Sequence, residues 1–389
     1  MERSPGALSG LLGGEVVGSY TPGLKVTPEA TLRFERRLPL TGAVDVKVGD
    51  RVSFDQVVAR TDLPGRVEMV NLASKLGVDP AELPAMLKKK EGQPIEKGEI
   101  LAYSKGFFGF FRSPYPAPFS GTVESISIAT GQVIMRTPPR PINITAYVDG
   151  VVEEVEENQG VTIKTYGSLI QGIFGLGGET SGILDMAVTR PDQVIEPTAL
   201  SEQHKGKALV VGRHASVALV KRAAELGVSA LIAGGIDDSD VRELLGYDLG
   251  VAITGNEKLG VTLVITEGFG PLSIAAKTFE LLQQRAGKRA SLSGATQIRA
   301  GVIRPEIIVT DLDSDWEQKD SEPPDLELAI GVPTRLIREP HFGDLGKVVG
   351  LPVQPEVIPS GAKVRVAEIE LGDGSRMTLP RANLELIEG

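Results

Sequence analysis

Between residues 207 and 310 the chain alternates short apolar runs with amphipathic stretches, and this alternation limits its fold more than any other feature. Ala208-Leu209-Val210-Val211 is apolar throughout and ends at Gly212, the composition of a strand buried on both faces. Val217, Leu219, Val220, Ala223, Ala224 and Leu226 then recur at helical spacing ahead of Gly227, which predicts an amphipathic helix over 216–226 with a glycine stop. A second strand is expected at 229–233, closed by Gly234-Gly235, and Asp237-Asp238-Ser239-Asp240 opens a helix that runs to Leu245. Strands at 251–254 and 261–266, a helix at 272–286 and a final strand at 306–309 complete the segment. Strand–helix alternation at this spacing implies right-handed crossovers and a parallel sheet.

Ligands of such sheets collect beyond the carboxyl ends of the strands. Three turns are expected on that edge: Gly212-Arg213-His214, Gly234-Gly235-Ile236-Asp237-Asp238 and Thr266-Glu267-Gly268-Phe269-Gly270. Gly268 and Gly270 permit close backbone approach, and a helix starting near Leu272 would aim free N–H groups at an anion. Arg213 adds charge from the first turn. Downstream, Arg299 and Arg304 stand among small polar residues, and paired arginines can clamp a carboxylate or phosphate. The candidate anion-binding set is therefore Arg213, Gly234, Gly235, Thr266, Glu267, Gly268, Gly270, Arg299 and Arg304.

No catalytic residue is assigned. Nothing in the spacing brings His214 to Glu267, and His214 reads as a capping or surface residue. Ser273 and Lys277 miss the Ser-x-x-Lys spacing by one position, and no Gly-x-Ser-x-Gly elbow is present. The run Gly172 to Gly182 carries Thr180 where a dinucleotide fingerprint starting at Gly175 needs glycine, and it lacks a Gly-Lys-Ser/Thr ending. It reads as a bend joining domains.

Composition removes whole classes of chemistry. With no cysteine, disulfides, thiolate metal sites, cysteine-ligated clusters and cysteine nucleophiles are excluded. His204, His214 and His341 are the only histidines, too few for a histidine-rich centre, and no metal site is assigned. The acidic run from Asp311 to Glu322 mimics a calcium loop, but Trp316 stands where its turn needs glycine. No apolar run reaches membrane-span length, and Met1-Glu2-Arg3-Ser4-Pro5 lacks the build of a signal peptide, so a cytoplasmic protein is expected. Charge is uneven: residues 205–310 hold 13 Lys/Arg against 10 Asp/Glu, whereas 311–327 hold 1 against 8 and 328–389 hold 7 against 8. No segment has the basic footprint of a phosphate-backbone binder, so nucleic acid is not an expected partner. The slight positive lean of 205–310 suits a small anionic ligand.

Residues 40–165 read as short half-buried strands joined by tight turns. Val46-Lys47-Val48-Gly49-Asp50-Arg51-Val52 leads to Gln56-Val57-Val58-Ala59, and Glu91-Gly92-Gln93-Pro94-Ile95 leads to Gly98-Glu99-Ile100-Leu101-Ala102. Ala117-Pro118-Phe119-Ser120-Gly121-Thr122-Val123 precedes Ile126 to Val133. Asp79, Pro80 and Glu82 make a helix start inside a short helical insertion over 71–90. These motifs resemble the barrel-sandwich hybrid fold of biotinyl and lipoyl carrier domains, which also occurs without a prosthetic group in Rnf-type and Nqr-type electron-transport subunits. Neither a Met-Lys-Met nor an Asp-Lys-Ala tip is present, so the resemblance implies the fold without the attached group, and no cofactor is expected. Phe107, Phe108, Phe110 and Phe111 crowd one loop and are the candidate partner-binding residues, since aromatics dominate interface hot spots; the same cluster also suits a plug closing one end of the sandwich.

From Ile330 to Ile387 the chain resembles an SH3-like barrel bearing a KOW motif, with Gly343-Asp344-Leu345-Gly346-Lys347-Val348-Val349 as its signature. Such barrels contact RNA or protein, and the near-neutral charge here favours protein.

The sequence thus predicts a multidomain α/β plus β chain: a barrel-sandwich-like module over 1–200, a central parallel, Rossmann-like α/β domain over 205–310, an acidic linker over 311–327 and an SH3-like KOW barrel over 328–389. The expected function is that of a non-catalytic scaffold or adaptor that docks protein partners through its β modules and senses a small anionic ligand at the central domain. The alternatives are an enzyme acting on a phosphorylated or carboxylated small molecule at that domain, and a transcription- or translation-associated factor contacting RNA.

Overall fold

The computed structural model describes residues 21–104, 113–247, 257, 259–296, 303–313, 315–319, 321, 328–336, 341, 344–357 and 363–387. The fold is mixed α/β, mostly strand, and is distributed over several sheets. The apolar runs that open the middle segment do become strands. We number the elements used below β1 (Thr21–Leu24), β2 (Val26–Arg37), β3 (Gly160–Gln171), β4 (Phe174–Leu176), β5 (Glu179–Met186), β6 (Lys207–His214), β7 (Ala230–Ile236), β8 (Thr262–Phe269), β9 (Arg289–Ser293) and β10 (Glu306–Thr310). The helices are α1 (Val217–Leu226), α2 (Asp238–Leu245) and α3 (Ala276–Arg285). The C-terminal strands are β11 (Pro333–Leu336), β12 (Leu345–Gly350), β13 (Val366–Leu371), β14 (Arg376–Pro380) and β15 (Leu384–Ile387).

An 11-stranded sheet runs β4-β8-β7-β6-β5-β9-β10-β3, continues through Gly150–Glu156 and Arg51–Val52, and carries β2 along β3. Only β5, β6, β7 and β8 are mutually parallel. The expectation of an all-parallel sheet is corrected on both sides of them. β4 pairs antiparallel with β8, and β9 and β10 pair antiparallel with each other and with β5 and β3. Parallel neighbours need a long, usually helical crossover. The 289–293 strand, which hydrophobic alternation alone did not reveal, lies between α3 and β10 and turns the tail of the segment antiparallel. The glycine-rich 172–182 run supplies β4 and the start of β5, with a turn at Gly177-Gly178 between them. The candidate strand at 251–254 lies outside the described residues.

Helices cover both faces of the parallel strands. Leu219, Val220, Ala223 and Val241 of α1 and α2 pack on Leu209, Val211, Leu231, Ala233, Leu263 and Ile265. The alternate residues Val210, Ile232 and Val264 face Phe279 and Leu282 of α3. Two buried faces explain why these strands read as unbroken apolar runs. The helix ends follow local chemistry: Ser216 Oγ accepts the Leu219 N–H at 3.3 Å, and Gly227 closes α1 in the left-handed conformation.

Sheet continuity crosses the expected boundaries. β3 pairs with β10 and β5 with β6, so the segments 1–200 and 205–310 share one sheet. Ile308 packs in one core with Val46, Val58, Tyr147 and Ile163, while Val70, Leu83, Leu101, Val123 and Met135 form a separate core around Leu72–Leu76 and Pro80–Ala85. The segment expected as an acidic linker is docked where it is described. Trp316 is buried, the Thr31 N–H donates to the Ser321 carbonyl at 2.8 Å, and Lys164 Nζ donates to the Glu317 carbonyl at 3.1 Å. The last strands form a six-stranded sheet ordered β1-β15-β11-β12-β13-β14, which takes in β1 from the N-terminal end as a parallel neighbour of β15. No helix among the described residues is long and apolar enough to cross a membrane.

Candidate functional site

The three turns expected at one edge do meet there, as the ends of β6, β7 and β8. His214 pairs with Gly235, and Gly235 with Gly268. The β6–β7 and β7–β8 pairings each shift register before the edge, the extra residue lying on β6 and on β8, and Gly212 takes a φ of 81° at the first irregularity, a conformation that favours glycine. The edge is closed by the chain itself. A Cβ on Gly234 would lie 1.9 Å from the Leu272 carbonyl oxygen, and one on Gly235 would lie 1.8 Å from that of Gly270. Residues 270–274 therefore lie directly on the β7 backbone, and α3 starts at Ala276 rather than near Leu272.

The groups expected to hold an anion are engaged within the protein. Arg213 Nε donates to the Pro271 carbonyl at 2.6 Å, and Thr266 Oγ1 donates to the Ala233 carbonyl at 3.3 Å. Glu267 is buried. Its Oε1 accepts the Ala275 N–H at 2.9 Å, just ahead of α3, and its Oε2 accepts from Arg335 of β11. An internal carboxylate thus occupies the position where an anion was expected. Arg299 lies outside the described residues, as do Phe107, Phe108, Phe110 and Phe111.

Arg335 extends the contact. It stands directly opposite Glu385 in the β11–β15 pairing, with Nη1 3.6 Å from Glu385 Oε2. Arg304 Nη2 reaches Glu385 Oε1 at 2.5 Å. Two carboxylates and two guanidiniums therefore alternate through the interior, joining the rim of the 11-stranded sheet to the C-terminal strands. Burial pushes the Glu385 carboxyl up, against the opposing pull of Arg304 and Arg335. The spacing of the sequence offered no sign of Arg335 or Glu385, because their partners are set by docking of two sheets.

A second buried polar group was also missed. Tyr147 adopts a φ of 73°, rare for a bulky residue, and is held by a Phe54 carbonyl, the Ser291 hydroxyl and an edge-on Phe34 ring. Its hydroxyl donates to Glu306 Oε1 at 3.2 Å. Arg36 lies over the Tyr147 ring and grips Glu179 with two bonds of 2.7 Å. Burial pushes the Glu306 carboxyl up to about 7, with Tyr147 and Arg36 opposing and Glu179 reinforcing the shift.

The same shift gives a stability prediction. Between the ordinary value of 4.5 and about 7, the folded state binds the proton more tightly than the unfolded state. The contribution is thus fully present below 4.5 and is lost as pH rises through about 7. From this group alone, the protein should lose about 3 kcal/mol of stability between pH 4.5 and 8. Glu306→Gln keeps an acceptor for Tyr147 and removes the titration, so its advantage over the parent should grow from pH 5 to pH 8 in urea unfolding. A constant difference would refute the assignment.

No family model matches the chain, and no curated protein matches it.

Proposed function

We propose that the protein is a non-catalytic scaffold or adaptor that docks protein partners through its strand-rich modules, the N-terminal one resembling a barrel-sandwich hybrid and the C-terminal one an SH3-like KOW barrel. The commitment of Glu267 carries this reading. Both of its oxygens serve bonds inside the protein, so the acid that an enzyme would use as a base at this rim acts instead as a joint between the sheets. A small anionic ligand reaches the rim only by displacing Glu267 from Ala275 and Arg335, which would couple ligand binding to the seating of the C-terminal strands.

The docking surface follows from what the C-terminal strands leave uncovered. Ile330, Leu345, Val353 and Val357 are 68%, 58%, 85% and 70% exposed, whereas Leu336, Val348, Ala367, Ile369 and Leu384 of the same segment form its small core. Affinity capture with the full chain should recover a stoichiometric protein partner. Val353→Asp with Val357→Asp should release it without shifting the unfolding midpoint. A partner retained equally by this variant and by one with Phe107 and Phe110 changed to serine would overturn the proposed docking surfaces. Turnover of a phosphorylated or carboxylated compound that disappears in Glu267→Gln would favour the enzymatic alternative.

A further inference from the structure

The same rim carries a group of metal-ligating side chains outside the Glu267 contact. His214 ends β6, Asp237 precedes α2, and Asp240 lies in the first turn of α2. One ligand atom from each lies within 4.8 Å of the other two. His214 Nε2 is shut off from solvent and makes no hydrogen bond, although Asp237 Oδ2 is only 3.4 Å away. Aspartate before a helix ordinarily caps its N–H groups, yet the Asp237 side chain makes no capping bond. It is turned toward the imidazole instead.

An imidazole nitrogen left with neither water nor a hydrogen bond is unfavourable. A cation between the two groups resolves this, since ligand atoms about 2.1 Å from a tetrahedral metal stand about 3.4 Å apart. The Val217 N–H donates to Asp240 Oδ2 at 3.3 Å and orients that carboxylate, as outer bonds do around metal ligands. We propose that His214, Asp237 and Asp240 bind a divalent transition-metal cation, with water completing its coordination on the half-exposed Asp237 side. One imidazole with two carboxylates suits Zn²⁺ or a similar ion, whereas Ca²⁺ and Mg²⁺ prefer all-oxygen sets. This site does not depend on the scaffold reading.

The test uses the full chain, stripped with a chelator and titrated with Zn²⁺, then with Co²⁺ as a spectroscopic probe. One equivalent of Zn²⁺ should bind, equimolar Ca²⁺ should not compete, and Co²⁺ should show visible bands characteristic of a low coordination number. Asp237→Asn retains a residue suited to the helix start and removes the anionic ligand. It should weaken Zn²⁺ binding by about 10-fold or more, the least expected when a ligand rather than an outer partner is lost. His214→Gln should do the same, both variants keeping the parent's unfolding midpoint in chelator. If His214→Gln fails to fold, Asp237→Asn decides alone. Failure to bind one equivalent, or binding unchanged by Asp237→Asn, would overturn the site.

Discussion

Arg335→Met is expected to destabilise the folded protein by about 3–5 kcal/mol, read from the urea midpoint at constant slope. Methionine fills much of the same volume, so the loss is chiefly electrostatic. Arg335 is itself buried and lies between two buried carboxylates, Glu267 and Glu385. Without it, Glu267 keeps the Ala275 N–H but no cation, and Glu385 depends on Arg304. A buried ion pair contributes little net stability against an apolar replacement of both partners, but breaking it from one side strands a charge. A loss below about 1 kcal/mol, the range of exposed pairs, would show that the contact is solvated.

Gly235→Ala is the second large effect. The added methyl carbon would sit 1.8 Å from the Gly270 carbonyl oxygen, with the Gly270 carbonyl carbon and Leu272 nitrogen each 3.0 Å away. These are backbone atoms, so no side-chain rotation relieves the clash. Either the 270–274 segment lifts off β7, or β7 moves within a sheet paired on both sides. The expected loss is about 4 kcal/mol or more, the range reserved for severe overpacking, together with low yield of folded protein. Gly372→Ala is the matched control: nothing lies within 4 Å of the added carbon, and the change should stay within about 0.5 kcal/mol. Equal stabilities for the two variants would mean that the 270–274 segment does not rest on β7.

Features governed by neighbouring residues were legible before any coordinates. Ser216 and Gly227 bound α1, Gly246 ends α2 in the left-handed conformation, and the Asp79 side chain accepts the Ala81 N–H, all as their residue types predict. The apolar runs at 208–211 and 229–233 revealed strands buried on both faces. Their parallel pairing also brought the 212–214, 234–238 and 266–270 segments to one edge. Strand direction beyond that group was not legible. Arg289-Ala290-Ser291-Leu292-Ser293 does alternate polar and apolar residues, but the run is five residues of mostly small side chains and its serines are buried as well, and without that strand β10 has no evident reason to run antiparallel.

The content of the rim was less legible still. Glycine after a strand signals close approach, but not whether a ligand or the chain's own backbone makes it. Here Leu272 and Gly270 do so. Glu267 was expected in an anion-binding turn, whereas its partner Arg335 is 68 positions away and no local pattern points to it. Tyr147 and Glu306 are separated by 159 positions, and only the register of β3, β9 and β10 brings them together. The pairing of β1 with β15 joins the two ends of the described chain, a contact that no local pattern encodes.

A double-mutant cycle between Glu267→Gln and Arg335→Met probes most directly whether the C-terminal strands are clamped into the rim of the large sheet. Unfolding free energies of the parent, the two single variants and the double variant should yield a coupling of about 2 kcal/mol or more, with the double variant more stable than Arg335→Met alone. Additivity within about 0.5 kcal/mol would contradict the clamp and return the rim to solvent and to external ligands.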